Sequence, residues 1–173
     1  MLKYENNFFI FDRPKNINSI YLLKKILRIP FILFYKLFFK FINVKIHNKK
    51  YKISICAIFK NEAKYLREWI EFHKIIGIEH FYLYNNNSTD NYSEALSKYI
   101  EEGLVTLNQW PKNQAQMECY HHCLENYKSE TEWLSFLDID EFIVPNTTND
   151  IYSFLKQFQN KYPVVIAYWK NLF

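Results

Sequence analysis

Glycine is almost missing from this chain: Gly77 and Gly103 are the only two in 173 residues. Phosphate cradles made from glycine-rich loops need several, and neither GxGxxG nor GxxxxGK[ST] occurs. Acidic residues are missing from a long stretch, with none between Asp12 and Glu62. Cysteine is scarce and odd in number: Cys56, Cys119 and Cys123 make no disulfide framework. With no secretory signal peptide in view, the three read as reduced thiols in a cytoplasmic setting. A membrane span is missing too. Within the most apolar stretch, residues 17–43, no run without a charge exceeds seven residues, as in Ile29 to Tyr35. A bilayer needs about 20 apolar residues.

What is present is ample core material. Hydrophobic residues make up 49% and aromatics 20%. The length suits one domain with an appendage. The net charge of +4 is uneven: residues 1–61 hold 13 Lys and Arg against two acids, a balance of +11, and the remainder carries −7. The basic part, residues 1–52, reads as an arm and linker ahead of a domain over 53–173. Residues 1–16 read as a short apolar segment and a turn. In residues 17–43, Lys24 and Arg28 are four apart, as are Lys36 and Lys40, so each pair shares a helix face. Pro30 kinks or divides that helix. Leu, Ile and Phe fill most of the rest, which suits a basic amphipathic helix lying on an anionic membrane surface. The plainer reading packs the helix on the main domain with its lysines in solvent. Nothing matches a nucleic-acid-binding motif, so no nucleic-acid partner is expected.

From residue 53 the elements alternate. Strands are expected at 53–59, 79–84, 104–107, 133–137 and 163–169. Helices are expected at 63–76, 92–100, 114–127 and 150–158, with Ser88 or Asp90 capping the second and Asn149 or Asp150 the last. Gly77 and Gly103 sit where helices end. The series predicts an α/β fold with a mainly parallel sheet, whose ligands lie beyond the carboxyl ends of the strands. Three polar clusters fall there: Lys60-Asn61-Glu62, Asn85 to Asp90, and Asp138-Ile139-Asp140.

The last cluster belongs to WLSFLDIDEFIVP, a buried-strand pattern ending in Asp138, Asp140 and Glu141. Alternation along an extended chain would put Asp138 and Asp140 on one face and Glu141 on the other. Two carboxylates ~4 Å apart repel by about 4 kcal/mol near a protein surface. A hard divalent cation with oxygen ligands relieves that repulsion. A solvated turn that merely ends the strand is the plainer alternative.

CAIFKNEAKYLREWIEFHKIIGIEHFYLYNNNSTDN, WPKNQAQMECYHHC and WLSFLDIDEFIVP resemble, in this order, the family 92-like glycosyltransferases, relatives of family 2. The resemblance implies the nucleotide-sugar fold called GT-A, with Asp138 and Asp140 holding Mn2+ or Mg2+ against a nucleotide diphosphate. It implies donor contacts from Asn61, Glu62, Asn85, Asp90, Gln116 and Asp138, although relatives often have Asp at Asn85. Gln116 and Tyr120 fit a recurring Gln-x-x-Ala-Tyr pattern, with Cys119 in the Ala position. The implied activity moves a sugar, with a UDP-sugar as expected donor, to a hydroxyl on a glycan or lipid-linked acceptor. Bacterial surface glycan synthesis on the inner face of the cell membrane is the expected setting. The family's general base lies in a second half of the domain and is therefore expected beyond Phe173. On this resemblance the chain reads as truncated after its nucleotide-binding half, with no catalytic residue assigned within it. A nucleotide-binding remnant without turnover is therefore an alternative. A haloacid dehalogenase-type phosphohydrolase, with Asp138 as nucleophile, is a lesser one.

Other clusters read more plainly. Cys119, His122 and Cys123 share one helical turn but lack a fourth zinc ligand, so core packing is expected. Glu141 reads either as a third metal ligand or, because alternation aims it away from the pair, as support for the metal site from behind, and the second is expected. His73 and His80 read as helix-face and strand residues, His121 as solvent-exposed, and Trp69, Trp110 and Trp133 as anchors.

Overall fold

The computed structural model describes residues 2–5, 8–11, 49–113, 116–145, 148, 150–159, 161–162 and 164–167. The chain divides into two units, residues 1–46 and 47–173. In the first, β1 (Leu2–Glu5) and β2 (Phe8–Phe11) pair antiparallel, with Leu2 opposite Phe11 and Glu5 opposite Phe8. The amphipathic helix expected over residues 17–43 lies outside the described residues. So does Phe173, the residue beyond which the general base is expected.

The second unit runs β3 (Tyr51–Phe59), α1 (Ala63–Ile75), β4 (His80–Asn85), α2 (Tyr92–Glu101), β5 (Val105–Gln109), α3 (Gln116–Tyr127), β6 (Thr131–Phe136) and α4 (Ile151–Lys156). Among the described residues its four strands are all parallel, in the order β5-β4-β3-β6. The α/β expectation holds. The chain winds outward from β3 through β4 to β5, then returns to the other side of β3 for β6. That reversal lies at the carboxyl ends of β3 and β6, and sheets of this kind take their ligands at such points.

Strand periodicity sorts the core into two layers. Ile53, Ile55, Ala57 and Phe59 of β3, with Phe81 and Leu83 of β4, meet Leu66, Trp69 and Ile70 of α1 and Leu96 of α2. The intervening residues Cys56, Tyr82 and Tyr84 face the other way, onto Cys119 and Cys123 of α3. Each fully buried large apolar side chain contributes roughly 1.5–3 kcal/mol. The two thiols of α3 are therefore core contacts, as expected, and Cys56 completes the group.

Both glycines have positive φ, +97° at Gly77 and +71° at Gly103. After α1, the Gly77 N–H donates to the Lys74 carbonyl and the Ile78 N–H to the His73 carbonyl, closing the helix end.

Three expectations change. Residues 164–167 form no strand, and Val164 and Ile166 are exposed. A β-branched run becomes a strand only with an edge to pair with, and among the described residues none pairs it. Among the described residues, strand β6 is an edge strand. Apart from Thr131 its residues are half-buried, where a buried strand was expected. Ser88 and Asp90 do not cap α2, whose N-cap residue is Asn91. Their side chains serve α1 and its loop, as described below. Asp150 does cap α4, accepting from the Ser153 N–H at 2.7 Å. Among the described residues, no helix is long and apolar enough to cross a membrane.

Candidate nucleotide-sugar site

Two polar groups form at the carboxyl edge of the sheet. The first joins the loops after β3 and β4. Asn61 takes a left-handed conformation, φ 59°, which asparagine tolerates better than most residues. Its N–H donates to Ser88 Oγ at 2.9 Å, and its side-chain oxygen accepts from the Thr89 N–H at 2.8 Å. Asp90 Oδ2 accepts from the Ala63 N–H at 2.8 Å and so caps α1 from a neighbouring loop. Glu62, the N-cap residue of α1, makes no side-chain cap bond. Its carbonyl accepts from the Tyr65 and Leu66 N–H groups.

Asn85 is buried, and both ends of its amide are engaged. Nδ2 donates to Gln109 Oε1 at 2.8 Å, and Oδ1 accepts from the Ser88 N–H at 2.9 Å. Asn86 Nδ2 donates to the Trp110 and Lys112 carbonyls at 2.8 and 2.7 Å, tying the loop after β5 to the same edge. Gln109 and Asn86 carry no sequence signal of these roles. Their partners are 24 or more residues away. An open groove of about 690 Å³ lies beside this group, lined among others by Asn61, Lys64, Arg67, Asp90 and Glu94.

The second group is built on the acidic stretch. Strand β6 stops at Phe136, and Asp138 to Glu141 form a turn. The Glu141 N–H donates to the Asp138 carbonyl at 3.1 Å, and the Asp138 N–H donates to Glu141 Oε2 at 3.1 Å. Strand alternation thus does not govern these acids, because the strand ends before reaching them. Ile139 enters the core on the α1 side, while Asp140 is exposed. Asp138 instead meets α3: Gln116 Nε2 donates to Asp138 Oδ1 at 2.9 Å, and Tyr120 OH donates to the same Oδ1 at 3.3 Å. Gln116 Nε2 also donates to Tyr120 OH at 2.9 Å. Burial first, and the neighbouring Asp138 carboxylate as well, push the Tyr120 phenol up, so it is a neutral donor. The structure thus brings Gln116, Asp138 and Glu141 together. Asn61, Asn85 and Asp90 form the other group. No hydrogen bond joins the two groups among the described residues.

Helix α1 clamps the chain just after the turn. Trp69 Nε1 donates to the Glu141 carbonyl at 2.8 Å. One helical turn on, His73 Nδ1 sits 2.7 Å from the Trp69 carbonyl, and the Ile143 N–H donates to His73 Nε2 at 3.4 Å. The pair fixes the ring as the neutral Nδ1–H tautomer. Neither contact follows from sequence spacing. His73 and His80 are buried, and burial lowers both from the ordinary histidine value of 6.5 to about 4, with the Lys50 charge adding to the shift at His80. Stability from both is complete above pH 6.5, where the unfolded imidazoles are also neutral. It falls as the pH drops toward 4, because only the unfolded state takes up protons in that window. At the more deeply buried His73 the full shift corresponds to about 3 kcal/mol. Urea unfolding at pH 7, 5.5 and 4.5 should show the midpoint falling steadily; a flat profile would contradict neutral buried imidazoles.

The remaining candidates settle into plain roles. The Cys56 thiol contacts Cys119 and Cys123, and those contacts together with burial hold it protonated. His122 Nδ1 pairs with Tyr84 OH at 2.9 Å. His121 is exposed and 3.2 Å from Glu125. Trp110 packs against Tyr84 and His122, with Lys112 Nζ over its ring. Among the described residues, no three His, Cys, Asp or Glu side chains form a ready-made metal cage.

The model of glycosyltransferase family 92 matches residues 49–172, and so takes in the whole sheet and both polar groups. The chain belongs to glycosyltransferase family 92. A family 92 protein of Ricinus communis is 36% identical over 94 residues, 54% of this chain and 16% of that protein. The galactan β-1,4-galactosyltransferase GALS3 of Arabidopsis thaliana is 30% identical over 127 residues, 64% of this chain and 25% of that protein. The β-1,4-galactosyltransferase galt-1 of Caenorhabditis elegans is 31% identical over 109 residues, covering 55% and 26%. The family 92 chain therefore spans between 16% and 26% of the lengths of these three relatives. Among solved structures, S. aureus TarS 1-349 superposes with TM-score 0.50 at 22% identity, covering 61% of this chain and 32% of that one. That likeness supports the glycosyltransferase fold and nothing finer. Family membership favours a transferase over a phosphohydrolase.

Proposed function

We propose that this family 92 chain binds a nucleotide-diphosphate sugar at the carboxyl ends of β3 and β6, for transfer of the sugar to a hydroxyl. The observation that carries the reading is the placement of the Asp138–Glu141 turn at the point where the strand order reverses. Asp138 and Asp140 would hold Mn2+ or Mg2+ there. The donor set fits such an ion: hard carboxylate oxygens from one turn, leaving other positions to phosphate oxygens and water. When bound, the cation stabilises charge developing on the departing diphosphate. On the protein side, Asn61, Glu62, Asn85 and Asp90 shape the neighbouring loops against which the nucleoside would lie. Because both ends of the Asn85 amide are already engaged, its contribution is to hold the loop. The general base for the attacking hydroxyl is assigned to no residue up to Phe173. UDP is the nucleotide of choice for a first test, and the β-1,4-galactosyltransferase names among the relatives make galactose the first sugar to try. A surface glycan or lipid-linked hydroxyl, in a bacterial setting, is the acceptor we assign.

Calorimetry with the full chain tests the reading. UDP should give a binding isotherm with Mn2+ and little heat without it. Equal binding in the presence of a chelator would overturn metal-assisted donor binding.

The basic, apolar stretch at residues 17–43 supports a second part of the proposal, peripheral attachment to an anionic membrane on its cytoplasmic face. Removing residues 1–45 should move the protein from the membrane to the soluble fraction. Unchanged partitioning would dispose of the membrane role.

A further inference from the structure

We propose that Gln116 and Tyr120 are positioning residues that hold Asp138 with one carboxylate oxygen committed and the other free for the cation. The inference rests on the metal-binding reading of Asp138 given above.

The hydrogen-bond count makes the case. A carboxylate oxygen has two lone pairs, and an amide NH2 has two protons. Gln116 Nε2 spends its two on Tyr120 OH and Asp138 Oδ1, and the Tyr120 hydroxyl proton goes to the same Oδ1. The triangle closes with every donor used and Oδ1 saturated. Asp138 Oδ2 has no hydrogen-bond partner among the described residues. The backbone is held as well, since the Asp138 N–H bonds to Glu141 Oε2. Side chain and main chain are thus fixed from two directions, by α3 and by the turn itself.

The support behind Gln116 and Tyr120 is equally local. They are four apart on α3, so both reach the same side of the helix. The Tyr120 ring packs on Phe136, the last residue of β6, with centroids 4.6 Å apart. One residue before Tyr120, Cys119 is buried against the sheet with Cys123 and Cys56. The thiol cluster docks the helix, and the docked helix presents the amide and the phenol to the acid. A carboxylate fixed in this way loses less freedom when it takes up a cation. Gln116 thereby acts through Asp138.

The test measures free Mn2+ by electron paramagnetic resonance, with the full chain and a fixed concentration of UDP, against the same Mn2+ and UDP without protein. Parent, Gln116→Leu, Tyr120→Phe and Asp138→Asn proteins are compared, each with its thermal midpoint. Tyr120→Phe keeps the ring and its packing, so it guards against misfolding of the harsher variant. The expected result is Mn2+ affinity about tenfold weaker in Gln116→Leu and Tyr120→Phe, with near-parental midpoints. Asp138→Asn should lose Mn2+ binding. A purely structural role would lower the midpoints and leave the affinity of the folded protein unchanged. Parental affinity in both helix variants, with Asp138→Asn still deficient, would overturn the positioning role and leave the donor site standing. Parental affinity in Asp138→Asn would overturn the donor site and the positioning role together.

Discussion

Replacing Asp138 and Asp140 together by alanine is expected to abolish the Mn2+-dependent binding of UDP. The change removes two negative charges from one turn, and with them the only protein ligands assigned to the cation. Loss of outer partners of a metal site costs about 10- to 100-fold in affinity, and loss of the ligands should exceed 100-fold. The fold should persist. Asp140 is exposed, and the Asp138 N–H keeps its bond to Glu141 Oε2 because alanine retains the main-chain donor. Gln116 Nε2 and Tyr120 OH lose an acceptor, but Gln116 is exposed and can turn to water. Thermal melting should therefore change little while the calorimetric signal disappears. Parental UDP binding by the double variant would refute the assignment.

Alanine at Trp69 should have the largest effect on stability, about 3–5 kcal/mol. The side chain is fully buried and packs against His73 and Phe81 at centroid distances of 4.6 and 5.5 Å. Removing it opens a cavity between α1 and the sheet. Domains of this size have only about 5–15 kcal/mol in total, so much of the margin would go. Trp69→Phe separates packing from hydrogen bonding. It keeps a ring but leaves the Glu141 carbonyl without its indole donor, at a cost of about 1–3 kcal/mol. Urea unfolding should rank parent, Phe and Ala in falling order. In the Phe variant, amide exchange at Glu141 and Ile143 should quicken more than exchange in β4. Equal protection in both proteins would show that the indole bond does not hold the segment after the turn.

These two expectations draw on features that differ in how far they could be read from sequence. The order of strands and helices from β3 to α4 was legible because each element carries its own period, and both glycines mark helix ends. Most boundaries fall within two residues of those expected. The position of the acids at a strand end was legible too, but their geometry was not. Alternation predicts a shared face for Asp138 and Asp140, whereas β6 stops at Phe136 and gives way to a turn that buries Ile139. The Gln116 and Tyr120 spacing was visible as a pattern, and its partner was not. A helix period shows which residues share a side, but not which loop lies opposite. Asn85 with Gln109, and Trp69 with Glu141, join residues 24 and 72 apart. Such pairs exist only once the sheet is assembled. Residues 164–167 fail as a strand for the same reason, since pairing belongs to the assembly and not to the segment.

The three buried thiols have a practical consequence. Cys56, Cys119 and Cys123 have no exposed surface and sit where α3 meets β3 and β4. A soluble alkylating reagent cannot reach them while that seam is shut, and the Cys56 thiol, held protonated, is a poor nucleophile as well. Their labelling must wait for the seam to open. Where reclosing outruns the chemistry, the labelling rate measures the open population. The family 92 chain thus carries a native clock for the departure of α3, the helix that brings Gln116 and Tyr120 to Asp138. Donor or metal that steadies this helix would slow the clock.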